Sequence, residues 1–330
     1  MSELRKDPVS QRWVIISLTR EKSPQDYEYT KAEISGDISR CPFCRENKHM
    51  IEHTVYSDSD PEKSVVRIVN NKYPALIPSI DMERMADGIY DKMTGYGRHE
   101  VVIDSVGHDV PFHCISIDDM SEVLKALVIR HDELKLDKKL RYVLFFKNFG
   151  ESAGASLSHS HMQLMATPAV PKVVAEELNC SRKYYEYKER CVFCDMIKQE
   201  MDEKERVIDF NDEFISIIPY APRFPFECWI LPRNHRSSFG SMPMHDIPAL
   251  ARILKTCLRR LQSVFPGLPY NFVIHTAPFS NSCKKFYHWH IEIMPRLTKI
   301  AGFEWGSGFY INETVPEKAA EYLREVREGL

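Results

Sequence analysis

The chain alternates short apolar runs with polar breaks, and the period of the apolar positions changes along it. Two stretches carry the helical period. From about Asp118, Met120, Val123, Leu124, Leu127, Val128 and Leu134 fall on one face. From near Asp246, Leu250, Ile253, Leu254, Cys257, Leu258 and Leu261 do the same. Around them lie runs of strand character at residues 65–76, 100–108, 142–147, 206–217, 227–235 and 270–275. A charged, partly helical segment over 171–188 separates the two sets, and a tail from Gly302 ends in a helix opened by Thr314 and Pro316.

The two sets repeat one another. Each begins with a strand pattern broken by a turn containing Asn70 or Asn211, with an aromatic residue three positions on. Glu100 then leads to His108, and Glu227 to His235, each in eight steps. A helix and a strand follow, and each set closes on an alternating histidine strand: His159, His161, Gln163, then His288, His290, Glu292. His108 precedes His159 by 51 residues, and His235 precedes His288 by 53. Common order at near-equal spacing implies a tandem duplication of an α+β unit, with halves 1–178 and 179–330.

Composition narrows the function classes. The 330 residues are 43% hydrophobic and 28% charged, as in a soluble globular protein with ample core. Lys and Arg number 44 against 47 Asp and Glu, a net charge of −3. That excludes a broad basic stripe and, with Lys and Arg scattered, argues against a nucleic-acid binder. Phosphate recognition must therefore be local. No apolar run approaches the ~20 residues of a membrane-spanning helix, and the first ten residues are polar. A cytoplasmic protein with no membrane partner is expected.

Nine cysteines, an odd number, include two C-x-x-C pairs, Cys41/Cys44 and Cys191/Cys194. In a reducing compartment such pairs read as metal ligands or a redox couple. Each half adds two histidines, giving Cys41, Cys44, His108 and His159, then Cys191, Cys194, His235 and His288. Two thiolates and two imidazoles suit tetrahedral zinc. His99 and His113 lie close enough in sequence to compete with His108.

The residues 152–163 carry a further signal. On a strand His159, His161 and Gln163 share one face, so His161 would be the free neighbour of a metal-held His159. Gly154, Ala155 and Ser156 are small enough for backbone amides to approach a phosphate. A neutral imidazole attacks phosphorus and passes the group on. Gln163 can donate to a phosphate oxygen without adding charge. The competing reading is a simple H-x-H pair of metal ligands. In the second half Glu292 would repel a phosphate, and Lys284, Lys285, Phe286 and Tyr287 replace the small residues, so one active site per chain is expected.

These motifs together resemble the galactose-1-phosphate uridylyltransferase family of the histidine-triad superfamily, over nearly the whole chain. The matching residues run from Arg5, Asp7, Trp13 and Arg20 through Cys41-Pro-Phe-Cys44, 71–76, His99, Glu100 and His108. They continue through Asn148, Gly150, Gly154, Ser156, His159, His161 and Gln163 to 219–227, His288, His290, Glu304 and 310–312. The resemblance implies a tandem histidine-triad-like fold, each unit a mostly antiparallel sheet with packed helices. It implies that His161 becomes nucleotidylated, that Gln163 holds the phosphate, and that Arg20, Asn71, Asn148, Gly154, Ser156 and Glu304 bind substrate. Both Cys–His sets would be metal sites, with zinc in each or iron in one. It further implies a homodimer moving UMP from UDP-glucose to galactose 1-phosphate by a ping-pong mechanism. Ser23 stands where relatives often carry a second basic residue, so sugar-phosphate contact is weakened in this chain or supplied by Lys22. An ADP-glucose phosphorylase using inorganic phosphate is the alternative within the family. A histidine-triad hydrolase would want a third histidine at 163, and Gln163 cannot serve as that acid.

Overall fold

The structure is a computed structural model that describes residues 2–33, 36–51, 53–57 and 64–326. The first half supplies strands β1 (Glu3–Lys6), β2 (Trp13–Ile16), β3 (Thr54–Ser57), β4 (Arg67–Asn70), β5 (Arg84–Asp87), β6 (Tyr90–Met93) and β7 (Arg98–Ile103). Helix α1 (Ile117–Leu136) and strands β8 (Tyr142–Phe149) and β9 (His161–Thr167) complete it. Then come α2 (Lys172–Lys188), α3 (Val192–Glu203), β10 (Val207–Phe210), β11 (Phe214–Ile217), β12 (Cys228–Pro232), α4 (Ile247–Val264), β13 (Tyr270–His275) and β14 (His290–Pro295). The chain closes on α5 (Gly302–Ser307), β15 (Tyr310–Asn312) and α6 (Pro316–Glu325).

Ten strands form one sheet in the order β10-β11-β12-β14-β13-β8-β9-β7-β4-β3, every neighbouring pair antiparallel. Read from its centre outward, β8-β9-β7-β4-β3 mirrors β13-β14-β12-β11-β10. The fold is thus α+β, a histidine-triad-like unit repeated in tandem, and the two units share one sheet through the β8–β13 pair.

Both long helices form where their apolar stripes dictate. Ser116 caps α1 by accepting from the Asp119 N–H, and Asp118 and Asp119 sit in its first turn, favourable for the helix dipole. Pro248 in the first turn of α4 costs no hydrogen bond there. The two helices pack on each other and on one face of the sheet, burying Val102, Phe145, Met162, Leu164, Ile230, Phe272, Ile291 and Ile293 in a common core. Strand alternation sends the intervening residues to the other face. In β9 that places His161 and Gln163 opposite the helices. In the second half α2 and α3 cover this face, around Phe193, Trp229, Leu231 and Tyr287.

Strand pairing corrects the repeat as read from sequence. Gln163 lies across from Val101 and Glu292 across from Trp229, so Val101 and Trp229 are equivalent. Glu227 is therefore the counterpart of His99, not of Glu100. Glu100 points to the helices and meets the Arg130 guanidinium at 2.5 Å. In the same register Val69 matches Ile217, which separates Asn70 from Asn211. Finally, α6 is capped at Val315 with Pro316 in its first turn, while the Thr314 hydroxyl bonds Tyr27 Oη at 2.6 Å instead.

Candidate active site

Cys41 ends one 3-10 turn and Cys44 begins another, so both thiols point into the same pocket beneath β9. There they meet His108 and His159, the four donor atoms lying within 4.8 Å of one another. Cys44 Sγ is 3.2 Å from His108 Nδ1 and 3.5 Å from His159 Nδ1, and Cys41 Sγ is 3.6 Å from His159 Nδ1. Zinc bonds of about 2.3 Å to sulfur and 2.0–2.1 Å to nitrogen set a tetrahedral edge near 3.5 Å, which these spacings match. The far nitrogen of His159 reaches the Ser105 carbonyl at 3.0 Å, fixing Nδ1 as the ligand atom.

The second set assembles in the same way. Cys191 caps α3 and Cys194 lies in its first turn. Cys194 Sγ stands 3.2 Å from His235 Nδ1 and 3.8 Å from His288 Nδ1. His235 Nε2 and His288 Nε2 are held by the carbonyls of Lys284 and Pro232 at 2.7 and 2.8 Å. The Cys191 thiol is pulled down by its hydrogen bond with Cys194, whereas that same bond and burial push the Cys194 thiol up. A divalent cation would let both thiols ionise. Both tetrads can therefore hold a metal ion. His99 and His113 join neither. His113 packs edge-on against Phe149, and its imidazole is driven down to about 4 by burial.

His161 stands outside the first tetrad. It is 5% exposed, with Phe43 packed against its ring at 5.1 Å. Its Nδ1 lies 2.9 Å from the His159 carbonyl, which can only accept, so Nδ1 bears the proton and Nε2 keeps a lone pair. Burial, with the Lys147 ammonium as a smaller contribution of the same sign, holds the imidazole below its ordinary range. It is neutral at pH 7.

Two cavities meet at this ring. One of about 530 Å³ runs past Lys147, Asn148, Gly150, Ala155 and Ser156, and Lys31 stands at its mouth. The other, about 500 Å³, runs past Phe43, Asn71, Lys72, Tyr73 and Gln163. Ser156, Leu157 and His161 line both. The loop between β8 and β9 needs its glycines. Gly150 (φ +85°) would drive a Cβ to 2.9 Å from Ala32 and Pro269, and Gly154 (φ +88°) turns its carbonyl to Asn148 Nδ2 at 3.4 Å. Arg20 and Glu304 are not among the residues lining either cavity. Glu304 instead accepts from the Ala301 N–H at the start of α5. Lys22 is paired with Glu313 at 2.5 Å and Ser23 with Asp26, so neither is turned to the cavities.

Sequence reasoning missed the support beneath His161. The buried Lys147 donates to Asp104 at 2.6 Å, to Ser160 at 2.9 Å and to the His161 carbonyl at 3.0 Å. Ser160 donates to the other oxygen of Asp104 at 2.6 Å. The available signal was a lysine closing the apolar run 142–147 and a serine between the two histidines of β9's approach. A further group, Glu177, His275, His290 and Glu292, also brings its donors within 4.8 Å in the second half. Its charges are matched internally. Arg223 bonds Glu292 at 2.6 Å and Glu227 at 2.7 Å, and His275 and Tyr287 bond Glu177 at 2.9 and 2.8 Å.

Comparison with known proteins agrees with this architecture. The chain matches the galactose-1-phosphate uridyl transferase N-terminal domain over residues 1–171 and the C-terminal domain over 143–329. It is 37% identical to an ADP-glucose phosphorylase of Arabidopsis thaliana, over 98% of this chain and 93% of that protein. It is 28% identical to a galactose-1-phosphate uridylyltransferase of Thermotoga maritima, over 98% of both. The crystal structure of an ADP-glucose phosphorylase from Arabidopsis thaliana with bound ADP-glucose superposes with a TM-score of 0.85 at 34% identity, covering 99% of this chain and all of that one. Both halves are matched, each by its own domain model, and the chain therefore belongs to the galactose-1-phosphate uridyl transferase family of nucleotidyltransferases.

Proposed function

We propose that the chain transfers a nucleoside monophosphate from a nucleoside-diphosphate sugar to a phosphate acceptor through a nucleotidyl-His161 intermediate. The observation that carries this reading is a neutral, strand-held imidazole whose free nitrogen faces the junction of two cavities. His161 Nε2 attacks the α-phosphorus, and the bond to the sugar phosphate breaks, releasing sugar 1-phosphate. An acceptor phosphate oxygen then attacks the same phosphorus and frees His161. Gln163 and the Ser156 backbone amide would donate to the phosphoryl oxygens as their charge grows, since the Gly154 and Ala155 amides are already bonded to the Glu151 and Gly150 carbonyls. As imidazole becomes imidazolium-like on phosphorylation, the His159 carbonyl at Nδ1 stabilises it.

The two tetrads would hold zinc. In the first, Cys41, Cys44, His108 and His159 would hold the ion, which would fix His159 and hence the approach of the strand carrying His161, a structural role.

The adenylyl reading, an ADP-sugar donor with inorganic phosphate as acceptor, is favoured over UDP-glucose and galactose 1-phosphate. Identity to the ADP-glucose phosphorylase is 37% against 28% to the Thermotoga uridylyltransferase. The Lys22–Glu313 and Ser23–Asp26 pairs also engage both of those side chains, and Arg20 lines neither cavity. In a homodimer Arg20 and Glu304 would act on the neighbouring copy's substrate.

Incubation with ADP-glucose and UDP-glucose separately, followed by mass spectrometry, tests this. A nucleoside monophosphate on His161 is expected from ADP-glucose, discharged by inorganic phosphate in preference to galactose 1-phosphate. Discharge by galactose 1-phosphate from a uridylyl adduct would restore the uridylyltransferase reading. Absence of any adduct would end both.

A further inference from the structure

We propose that His99 is a positioning residue: its imidazole sets which end of the Gln163 amide faces the phosphate and ties the 71–75 loop to that amide. The inference rests on the reading of His161 and Gln163 given above. His99 sits on β7, paired with Met165, diagonally across the ladder from Gln163 and on the same face. Its Nδ1 lies 3.2 Å from the Ala75 backbone N–H, which can only donate, so Nδ1 carries no proton. The proton of the neutral ring is then on Nε2, 2.8 Å from Gln163 Oε1. Each contact thus demands the tautomer that the other requires.

An amide held by its oxygen must turn its NH₂ outward, here into the cavity that ends at His161. Asn71 Nδ2 lies 3.1 Å from the same ring nitrogen, a donor that this N–H cannot accept. The Asn71 oxygen is occupied by the Tyr73 N–H at 2.8 Å, so its NH₂ too is left for a ligand. One imidazole therefore sets the Gln163 amide and, through the Ala75 N–H, holds the 71–75 loop against it.

The repeat gives an independent view of the same pair of positions. Where the first half has His99 and Gln163, the second has Glu227 and Glu292, and there the Arg223 guanidinium bridges them at 2.7 and 2.6 Å. Both halves couple these two positions, one by a neutral donor that leaves an amide free, the other by an ion clamp that leaves nothing free.

The test uses three substitutions of His99 and a Q163A background, with single-turnover nucleotidylation of His161 as readout. H99L is expected to slow adduct formation by on the order of ten- to a hundredfold, the cost of a misplaced group near the reacting atom. H99Q carries an amide N–H to the place of Nε2 and should restore most of the rate. H99N retains a group only near Nδ1 and should not. In a Q163A background H99L should cost less than about twofold, because its action runs through Gln163. An undiminished H99L penalty in Q163A, or H99N performing as well as H99Q, overturns the proposal. The side-chain amide signal of Gln163 in ¹⁵N-labelled protein reads the contact without turnover. It should shift in H99L and return in H99Q, and an unmoved signal in H99L rejects the contact whether or not His161 accepts a nucleotide.

Discussion

The two halves share a sheet, a helix and a Cys–His tetrad, and differ at the strand that follows the tetrad. In the first, His161 opens onto two cavities. In the second, His290 is fully buried, with Trp229 stacked on it at 5.0 Å and Phe193 at 5.2 Å. Glu292, where the first half has Gln163, is locked by Arg223 and held well below the usual carboxylate range: burial opposes its charge, but Arg223 and His275 outweigh it. The N-terminal segment completes the closure, with Asp7, Arg12 and Val14 set against Arg223, Trp229 and Glu292 around a small cleft. Duplication thus kept the framework in both halves. Filling and charge-matching closed one site; small residues and a neutral amide left the other open.

The sharpest break of that comparison is a pair of equivalent substitutions. H161N should reduce nucleotidyl transfer by at least about 10⁴-fold, as loss of a covalent nucleophile does. H290N should leave turnover within about threefold and act on stability alone. Single-turnover kinetics on both proteins checks this, and comparable losses would erase the proposed division of labour.

The ion clamp of the second half comes next in size. R223M strands Glu227 and Glu292, 1% and 3% exposed, without their cation. Breaking one side of a buried pair costs about 3–5 kcal/mol. Urea unfolding should show that loss, while R223M/E227Q/E292Q should recover most of it. Equal instability of the triple variant would mean that Arg223 acts through packing rather than charge.

The pH dependence of stability sharpens the same point. Burial disfavours charge on His275, but Glu177 and then Glu292 more than offset it, raising the imidazole to about 9. A group raised in the folded state stabilises it fully below its unfolded value, near 6.5, and the gain fades as pH climbs through 9. Unfolding free energy should therefore fall between pH 6.5 and 9 by at most about 3 kcal/mol. H275Q should flatten that slope.

Much of this was legible in the chain. Both long helices announced themselves by apolar period and began within a residue or so of the expected Asp118 and Asp246. The four ligand types of each half, repeated in order, converge as tetrads because His108 and His235 follow β7 and β12, His159 and His288 lead into β9 and β14, and each C-x-x-C sits in a tight turn or first helical turn. What eluded reading was register. Glu100 and Glu227 each precede a histidine by eight residues, yet a connection one residue longer in the first half rotates Glu100 onto the helix face, where Arg130 is its partner. A period-two element converts a single-residue slip into a change of side, and no local pattern reveals it. The Lys147–Asp104–Ser160 network was hidden for a related reason, since its members meet only when β7 and β8 both pair with β9.

The smallest effect concerns the rim of the open site. Lys72 is exposed at one cavity, and its ammonium can approach a nucleotide only through solvent. Exposed charge contacts are worth about 0.2–1 kcal/mol, so K72A should raise KM by up to about fivefold and leave kcat alone. The penalty should shrink as salt rises, because a contact in water is screened over about 8–10 Å at 0.10–0.15 M ionic strength. A salt-independent fall in kcat would instead place Lys72 against the reacting phosphate, extending the catalytic surface beyond the strand of His161 into the loop that His99 holds.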